Sequence, residues 1–205
     1  MAISMLFAFW VVSISLVMTP GADWAYAISA GMRQRAIGPA VLGMLSGYLL
    51  ITLVVAAGVG ALVSSVPSVL TALTVIGAAY LVWLGVGVLR HPVVPNAAVE
   101  EANATWAGWF GRGFLISGIN PKALLLFLAL LPQFTSVSNS WSIPTQITAM
   151  GAVQIINCAV VYSVVGIGSK FILRTRPEAA RRVSQFSGIA MIVIAAYLVI
   201  GQVMM

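Results

Sequence analysis

Charged residues, cysteine and histidine are scarce in this chain. Only 7% of its 205 residues are charged, and four are acidic, with a single cysteine and a single histidine. One cysteine excludes a disulfide framework or a two-thiol redox centre within the chain. Soft metals need Cys or His ligands, and Cys158 and His91 are the only candidates. We therefore expect no metal site, no cofactor and no enzymatic activity.

Apolar residues make up most of what is present. The chain is 61% hydrophobic and its mean hydropathy is +1.07, which is more apolar surface than a soluble domain can bury. Its apolar stretches are continuous, and each can supply the ~20 residues that cross ~30 Å of hydrocarbon. The pattern predicts an all-α integral membrane protein with six transmembrane helices. These cover roughly residues 2–31, 37–64, 67–89, 113–132, 142–168 and 186–204.

Basic residues predict the orientation in the membrane. Nine of the ten Lys and Arg residues fall in the predicted connections between helices 1 and 2, 3 and 4, and 5 and 6. These include Arg112 and the basic stretch 170–185. By the positive-inside rule these connections are cytoplasmic, so both termini lie outside. The net charge of +6 thus marks topology and contact with the lipid bilayer, and we expect no nucleic-acid partner.

Two proline breaks stand in comparable places in the two halves. The first is Pro20-Gly21-Ala22-Asp23 and the second is Asn120-Pro121-Lys122. Proline removes a helical hydrogen bond and clashes with the preceding turn, so helices 1 and 4 should be broken at Pro20 and Pro121. Charges within membrane helices usually face a protein interior or a water-filled path. The two breaks therefore predict a transport site near the middle of the membrane.

A short repeat supports the division into halves. The sequence Ala-Ala-Tyr-Leu-Val occurs at residues 78–82 and again at 195–199. We predict one transporter domain over 1–205, with repeat one at about 1–90, a cytoplasmic loop at about 90–110, and repeat two at about 110–205. Three crossings per repeat force the second repeat to be inverted relative to the first. Inverted repeats with broken helices are typical of secondary transporters.

The breaks contain the first group of candidate site residues. Asp23 can bind a proton or a substrate ammonium, or it can form a structural ion pair with Lys122. Lys122 can bind a substrate carboxylate, neutralise Asp23, or extend to the membrane surface. The prolines free backbone groups that can bind a zwitterion, and glycine lets the backbone approach a ligand. The candidates are Asp23, Lys122, Pro20, Gly21, Asn120, Pro121 and the adjoining Trp24.

Polar residues inside the other helices form a second group. Gln154 and Asn157 are three residues apart and share one face of helix 5. Buried amides and phenols need partners, so these residues either serve the site or tie helices together. The candidates are Gln154, Asn157, Tyr48, Tyr80, Tyr162 and Tyr197. Gly43 and Gly47 permit close helix contact, within the chain or in a homodimer, and we favour contact within the chain.

Several segments together resemble a known family. They are Pro20–Asp23, Gly77–Gly85, Gly113–Leu115, Asn120–Ala123 and Leu131–Phe134. They are similar to the signature of the LysE/RhtB family of amino-acid exporters, and the resemblance covers essentially the whole chain in order, length and helix count. Ala22 stands where that signature has a second proline, which suggests a milder break in helix 1.

The resemblance implies a function. It implies export of amino acids from the bacterial cytoplasm across the inner membrane, by alternating access, with protons as the coupling ion. One acidic residue in the membrane region disfavours a dicationic substrate, so we expect a neutral or zwitterionic amino acid. Two alternatives stay open at this point, a cation or metal exporter and a non-transporting membrane scaffold.

Overall fold

A computed structural model describes most of the chain, and the described residues are helices joined by short turns. The described residues are 3–33, 36–65, 67–90, 105–120, 123–124, 126–175, and single positions at 182, 185–186, 189, 192–193, 195–196 and 200. The helices are α1 (Ile3–Val17), α2 (Ala22–Gly31), α3 (Ile37–Ser65), α4 (Pro67–Arg90), α5 (Trp106–Gly118) and α6 (Ile143–Thr175). Between α5 and α6, Leu126–Leu130 forms a π-helical turn and Leu131–Phe134 a 3-10 turn.

The first predicted segment is broken at the predicted position. Helix α1 ends at Val17, α2 begins at Ala22, and the two axes meet at 64°. Pro20 has no N–H to continue the helix, and the chain turns instead through a bond from the Thr19 amide to the Leu16 carbonyl at 3.1 Å. The bend is sharp although Ala22 stands in place of a second proline, and a milder break than two prolines would give stays a prediction.

The fourth predicted segment is also interrupted. Helix α5 ends at Gly118, and Asn120 has no helical conformation. The chain is helical again at 123–124, where the Leu124 amide donates to the Asn120 carbonyl at 3.0 Å. Pro121 and Lys122 lie outside the described residues. The interruption immediately before Pro121 agrees with the prediction.

Two helices extend further than their apolar stretches indicate. Helix α5 begins at Trp106, not near 113, because Thr105 Oγ1 accepts a capping bond from the Gly108 amide at 3.2 Å. Arg112 therefore lies inside α5, and its assignment to a connection is wrong. Helix α6 continues past residue 168 to Thr175 and includes Lys170 and Arg174. Hydropathy marks the part of a helix within hydrocarbon, whereas backbone hydrogen bonding can continue beyond it.

Helix α3 lies at the centre of the bundle and packs on α5 and α6. A Cβ at Gly113 would lie 2.5 Å from the Ala40 carbonyl oxygen, and one at Gly47 would lie 2.7 Å from the Phe114 carbonyl oxygen. Gly43 also faces the backbone of α5, at Phe110. Gly43 and Gly47 therefore serve packing within the chain, as we expected.

The described helices are long and apolar enough to cross a membrane in two or three places. Residues Ile37–Gly58 of α3 and Ile143–Ser169 of α6 qualify by length and composition, and the bent pair α1–α2 makes a third if it is one span. The outer face of α6 is an apolar stripe. Ile156, Val160, Val164 and Ile167 are each between 58% and 66% exposed. Such a face is suited to contact with lipid.

The repeated sequence has a similar pattern of buried and exposed residues in its two copies. Ala78 and its counterpart Ala195 are buried, at 1% and 0% exposure, whereas Ile76 and its counterpart Val193 are about equally exposed. Ala79 and Ala196 are also both exposed. The two copies therefore place corresponding residues in corresponding environments.

Candidate functional site

The carboxylate of Asp23 lies in the first turn of α2 and is 2% exposed. Ser117 Oγ donates to Asp23 Oδ1 at 2.6 Å, and Asn120 Nδ2 donates to Oδ2 at 2.8 Å. Both donors come from the end of α5 and the residues just beyond it. The interrupted ends of the two broken segments thus meet at one carboxylate.

Two tyrosines from the long helices complete this site. Tyr48 of α3 and Tyr162 of α6 donate their hydroxyls to Asp23 Oδ2 at 3.1 Å and 3.3 Å. The two hydroxyls lie 3.2 Å from each other. Both tyrosines are almost fully buried. We refer to Asp23, Tyr48, Ser117, Asn120 and Tyr162 as the Asp23 cluster.

The Asp23 cluster can accommodate both protonation states of the carboxyl group. An ionised carboxylate only accepts hydrogen bonds, and here it accepts four from uncharged donors. The start of α2 also favours negative charge. If Asp23 gains a proton, its new O–H can donate to one tyrosine oxygen while that tyrosine turns its hydrogen toward the other. The two tyrosine hydroxyls can therefore reorient to match either form of the carboxyl group.

A second polar cluster joins α1 to α6. Ser13 Oγ donates to Gln154 Oε1 at 2.6 Å, and Asn157 Nδ2 donates to Ser13 Oγ at 2.7 Å. Gln154 Nε2 donates to Cys158 Sγ at 3.4 Å. All four side chains are buried, and we refer to them as the Gln154 cluster. The predicted common face of Gln154 and Asn157 is confirmed, and it faces α1.

A small cavity lies between the two clusters. Its volume is ≈ 10 Å³, and it is lined by Tyr48, Tyr162, Gln154, Leu16, Val17, Ala123 and Leu126. That volume holds about one water molecule and is far below the roughly 300–1,000 Å³ of a small-molecule pocket. As the described residues stand, this cavity is too small for an amino acid, which could occupy it only if the lining side chains moved apart.

Three other predicted site residues, Pro20, Gly21 and Trp24, lie at or near the first break. Pro20 is buried, and a Cβ on Gly21 would meet no atom within 4 Å, so there is space beside that backbone. The Trp24 indole donates to the Val17 carbonyl at 2.8 Å, across the bend. The Val17 carbonyl freed by the break is thus bonded within the chain. Tyr80 is on α4, but its side chain, like the whole of Tyr197, lies outside the described part of the structure.

The sequence does not predict three members of the two clusters, namely Ser117, Ser13 and Cys158. For Tyr48 and Tyr162 it leaves open whether they serve the site or tie helices together. The available signal for Ser117 is that it stands one helical turn before Asn120. Nothing in the sequence distinguishes Ser13 from other serines in apolar helices.

The bond across the bend gives a testable prediction. Trp24→Phe leaves the part-buried Val17 carbonyl without the indole donor, which should lower the free energy of unfolding by about 1–3 kcal/mol. The matched control is Trp106→Phe, because Trp106 is 59% exposed. Thermal unfolding in detergent measures both. Equal midpoints for the two variants would show that the indole does not hold the bend.

Comparison with known proteins gives a family match and a set of relatives. A family model described as "LysE type translocator" matches residues 14–202. An uncharacterized membrane protein of Vibrio cholerae is 31% identical over 130 residues, which is 62% of this chain and 63% of that protein. A similar protein of Pseudomonas aeruginosa is 30% identical over 131 residues, 59% of each chain. No solved structure matches the chain.

A relative named for a transport activity is also found. A leucine efflux protein of Salmonella typhimurium is 26% identical over 129 residues, which is 62% of this chain and 61% of that protein. The matched part of the chain thus spans about three fifths of the length of these relatives. With the apolar helices, the relatives named as membrane proteins support a membrane location for this chain.

Proposed function

Since the chain belongs to the LysE type translocator family, we propose that it exports amino acids from the bacterial cytoplasm across the inner membrane. The family is one of transporters, not of enzymes, and a leucine efflux protein is among the relatives. The proposed mechanism is antiport with protons by alternating access. The single observation that carries it is the buried Asp23 carboxylate with four uncharged donors.

The proposed architecture is six membrane crossings in two inverted repeats, at about 1–90 and 110–205, with both termini outside. The breaks after Val17 and after Gly118 support it, because they occur at corresponding places in the two halves. The matching burial of Ala78 and Ala195 supports it as well. Inverted repeats that meet at broken helices place a substrate site between them.

Competition for one carboxylate would couple the two fluxes. Facing the cytoplasm, ionised Asp23 would bind the ammonium of the substrate. Facing outward, it would bind a proton, and the substrate would be released. Because a proton and an ammonium cannot both neutralise one carboxylate, each outward movement of substrate would be tied to an inward movement of a proton. Ser117 and Asn120 would hold the carboxylate in place throughout the cycle.

The substrate would be a neutral amino acid. Four of the seven residues that line the cavity are apolar, namely Leu16, Val17, Ala123 and Leu126, and a charged substrate side chain against them would lose its hydration without a partner. We assign Lys122 to the substrate carboxylate or to charge balance with Asp23. Pro20, Gly21 and Pro121 would supply the breaks, and Asn157 would support Gln154 through Ser13.

The test uses purified protein in liposomes with a pH-sensitive dye inside. Amino acids are added one at a time, and labelled substrate and internal pH are followed together. Movement of a neutral amino acid with opposite movement of protons is the expected result. Substrate counterflow without a proton signal would exclude antiport with protons. A response to divalent cations alone would favour a cation exporter, and a folded protein that moves nothing would favour a membrane scaffold.

A further inference from the structure

We infer that Tyr48, Tyr162 and Gln154 together bind the carboxylate of the substrate, beside the ammonium on Asp23. The inference rests on the proposed function and adds to it the chemical group that each side of the cavity recognises. The α-carbon joins the ammonium and the carboxylate of an amino acid directly, so the two groups must be bound side by side. The cavity shares Tyr48 and Tyr162 with the Asp23 cluster, and the second group would lie there.

The donors on this cavity are suited to a carboxylate. Tyr48, Tyr162 and Gln154 all line it, and each carries an uncharged hydrogen-bond donor. The Gln154 amide nitrogen has two hydrogens, and its bond at 3.4 Å goes to the sulfur of Cys158, which is a weak acceptor. A carboxylate oxygen in the cavity would be a stronger acceptor for this amide, because hydrogen bonds to an ionised group are the stronger ones.

The distances within the Asp23 cluster indicate which bonds would change when substrate arrives. Ser117 and Asn120 bond to Asp23 at 2.6 Å and 2.8 Å, whereas Tyr48 and Tyr162 bond at 3.1 Å and 3.3 Å. An incoming ammonium donates to the same carboxylate and would displace the longer, weaker bonds first. The two tyrosine hydroxyls would then be available to donate to a neighbouring acceptor.

The apolar residues around the cavity indicate where the rest of the substrate would lie. Leu16, Val17, Ala123 and Leu126 carry no polar side-chain atom, so they offer nothing to an ammonium or a carboxylate. They would contact the α-carbon and the side chain. The cavity of ≈ 10 Å³ has room for about one water, which is roughly the space of one carboxylate oxygen.

The experiment compares an amino acid with its amino alcohol. Counterflow of labelled leucine, or of whichever amino acid wild type moves best, is measured in liposomes without a pH gradient. Unlabelled leucine and leucinol are the competitors, since leucinol keeps the ammonium and side chain but lacks the carboxylate. Tyr48→Phe and Tyr162→Phe should each reduce the preference for leucine over leucinol by about tenfold, which corresponds to about 1.4 kcal/mol.

A matched control and a second variant keep the outcomes distinct. Tyr26→Phe also removes a buried hydroxyl, which donates to the Trp109 carbonyl at 2.6 Å away from the cavity, and it should leave the preference unchanged. If a tyrosine variant does not fold, Gln154→Leu should show the same reduced preference. If the folded Tyr48, Tyr162 and Gln154 variants keep the wild-type preference for leucine over leucinol, the inference is overturned. A change in pH dependence alone would overturn it as well. Wild type that moves no amino acid would instead refute the proposed function.

Discussion

Proteoliposomes containing Asp23→Asn are expected to show no proton movement when substrate is added. Asparagine cannot ionise, so it can neither carry the coupling proton nor balance a substrate ammonium. Its amide N–H₂ group would also replace one of the two carboxylate oxygens and would face either Ser117 or Asn120, each of which now donates to its own oxygen of Asp23. Loss of one partner from a buried charge pair costs roughly 2–5 kcal/mol, so the coupled flux should fall by about 30-fold or more. The pH-sensitive dye and labelled substrate measure it.

Ser46→Ala is the control for this experiment, because the Ser46 hydroxyl bonds only to the Leu42 carbonyl of its own helix among the contacts the structure describes. It should move protons and substrate as wild type does. Ser117→Ala should give an intermediate loss of coupled flux, since it removes the donor of the shortest hydrogen bond to Asp23 but leaves the carboxylate. If Asp23→Asn still accumulates substrate against a pH gradient, the carboxylate has a structural role and another group carries the proton.

Gly113→Ala is expected to disrupt the bundle. A Cβ at this position would lie 2.5 Å from the Ala40 carbonyl oxygen and 3.1 Å from the Met44 amide nitrogen. Both are backbone atoms of α3 and cannot rotate away, so α5 must shift. Overpacking of this kind costs typically 1–3 kcal/mol and sometimes more, and we expect about 3 kcal/mol. Transport should fall with stability, because Ser117 lies one turn further along α5 and would move off Asp23.

Gly111→Ala supplies the matched control on the same helix. A Cβ at Gly111 would meet no atom within 4 Å, and alanine favours helix over glycine. Thermal unfolding in detergent should therefore give an equal or higher midpoint for Gly111→Ala than for wild type, and a clearly lower one for Gly113→Ala. Two similar midpoints would mean that the α3–α5 contact is looser than the structure indicates.

Local signals explain which features could be predicted from the sequence. Proline acts on the backbone of its own helix, so the breaks beside Pro20 and Pro121 are predictable from position alone. Apolar stretches predict the helices, but their ends depend on hydrogen bonds that hydropathy does not report. The cap at Thr105, which places Arg112 within α5, is such a case.

The membership of the candidate site could be predicted only in part. A lone acid in an apolar helix is conspicuous, and Asp23 and Asn120 are found together as members of one cluster. Tyr48, Ser117 and Tyr162 reach the same carboxylate from three different helices, and that convergence is a property of the packing. Serine and tyrosine are common in apolar helices and usually tie them together. Their distance from Asp23 along the chain ranges from 25 to 139 residues.

The single thiol of the chain has a practical consequence. Cys158 is fully buried and accepts a hydrogen bond from Gln154, one of the residues around the cavity. An alkylating reagent can reach this sulfur only when the surrounding helices have moved apart. Because the chain has no second cysteine, thiol alkylation of the unmodified protein reports on Cys158 alone. The rate at which Cys158 is alkylated, with and without substrate, would time how often the bundle opens.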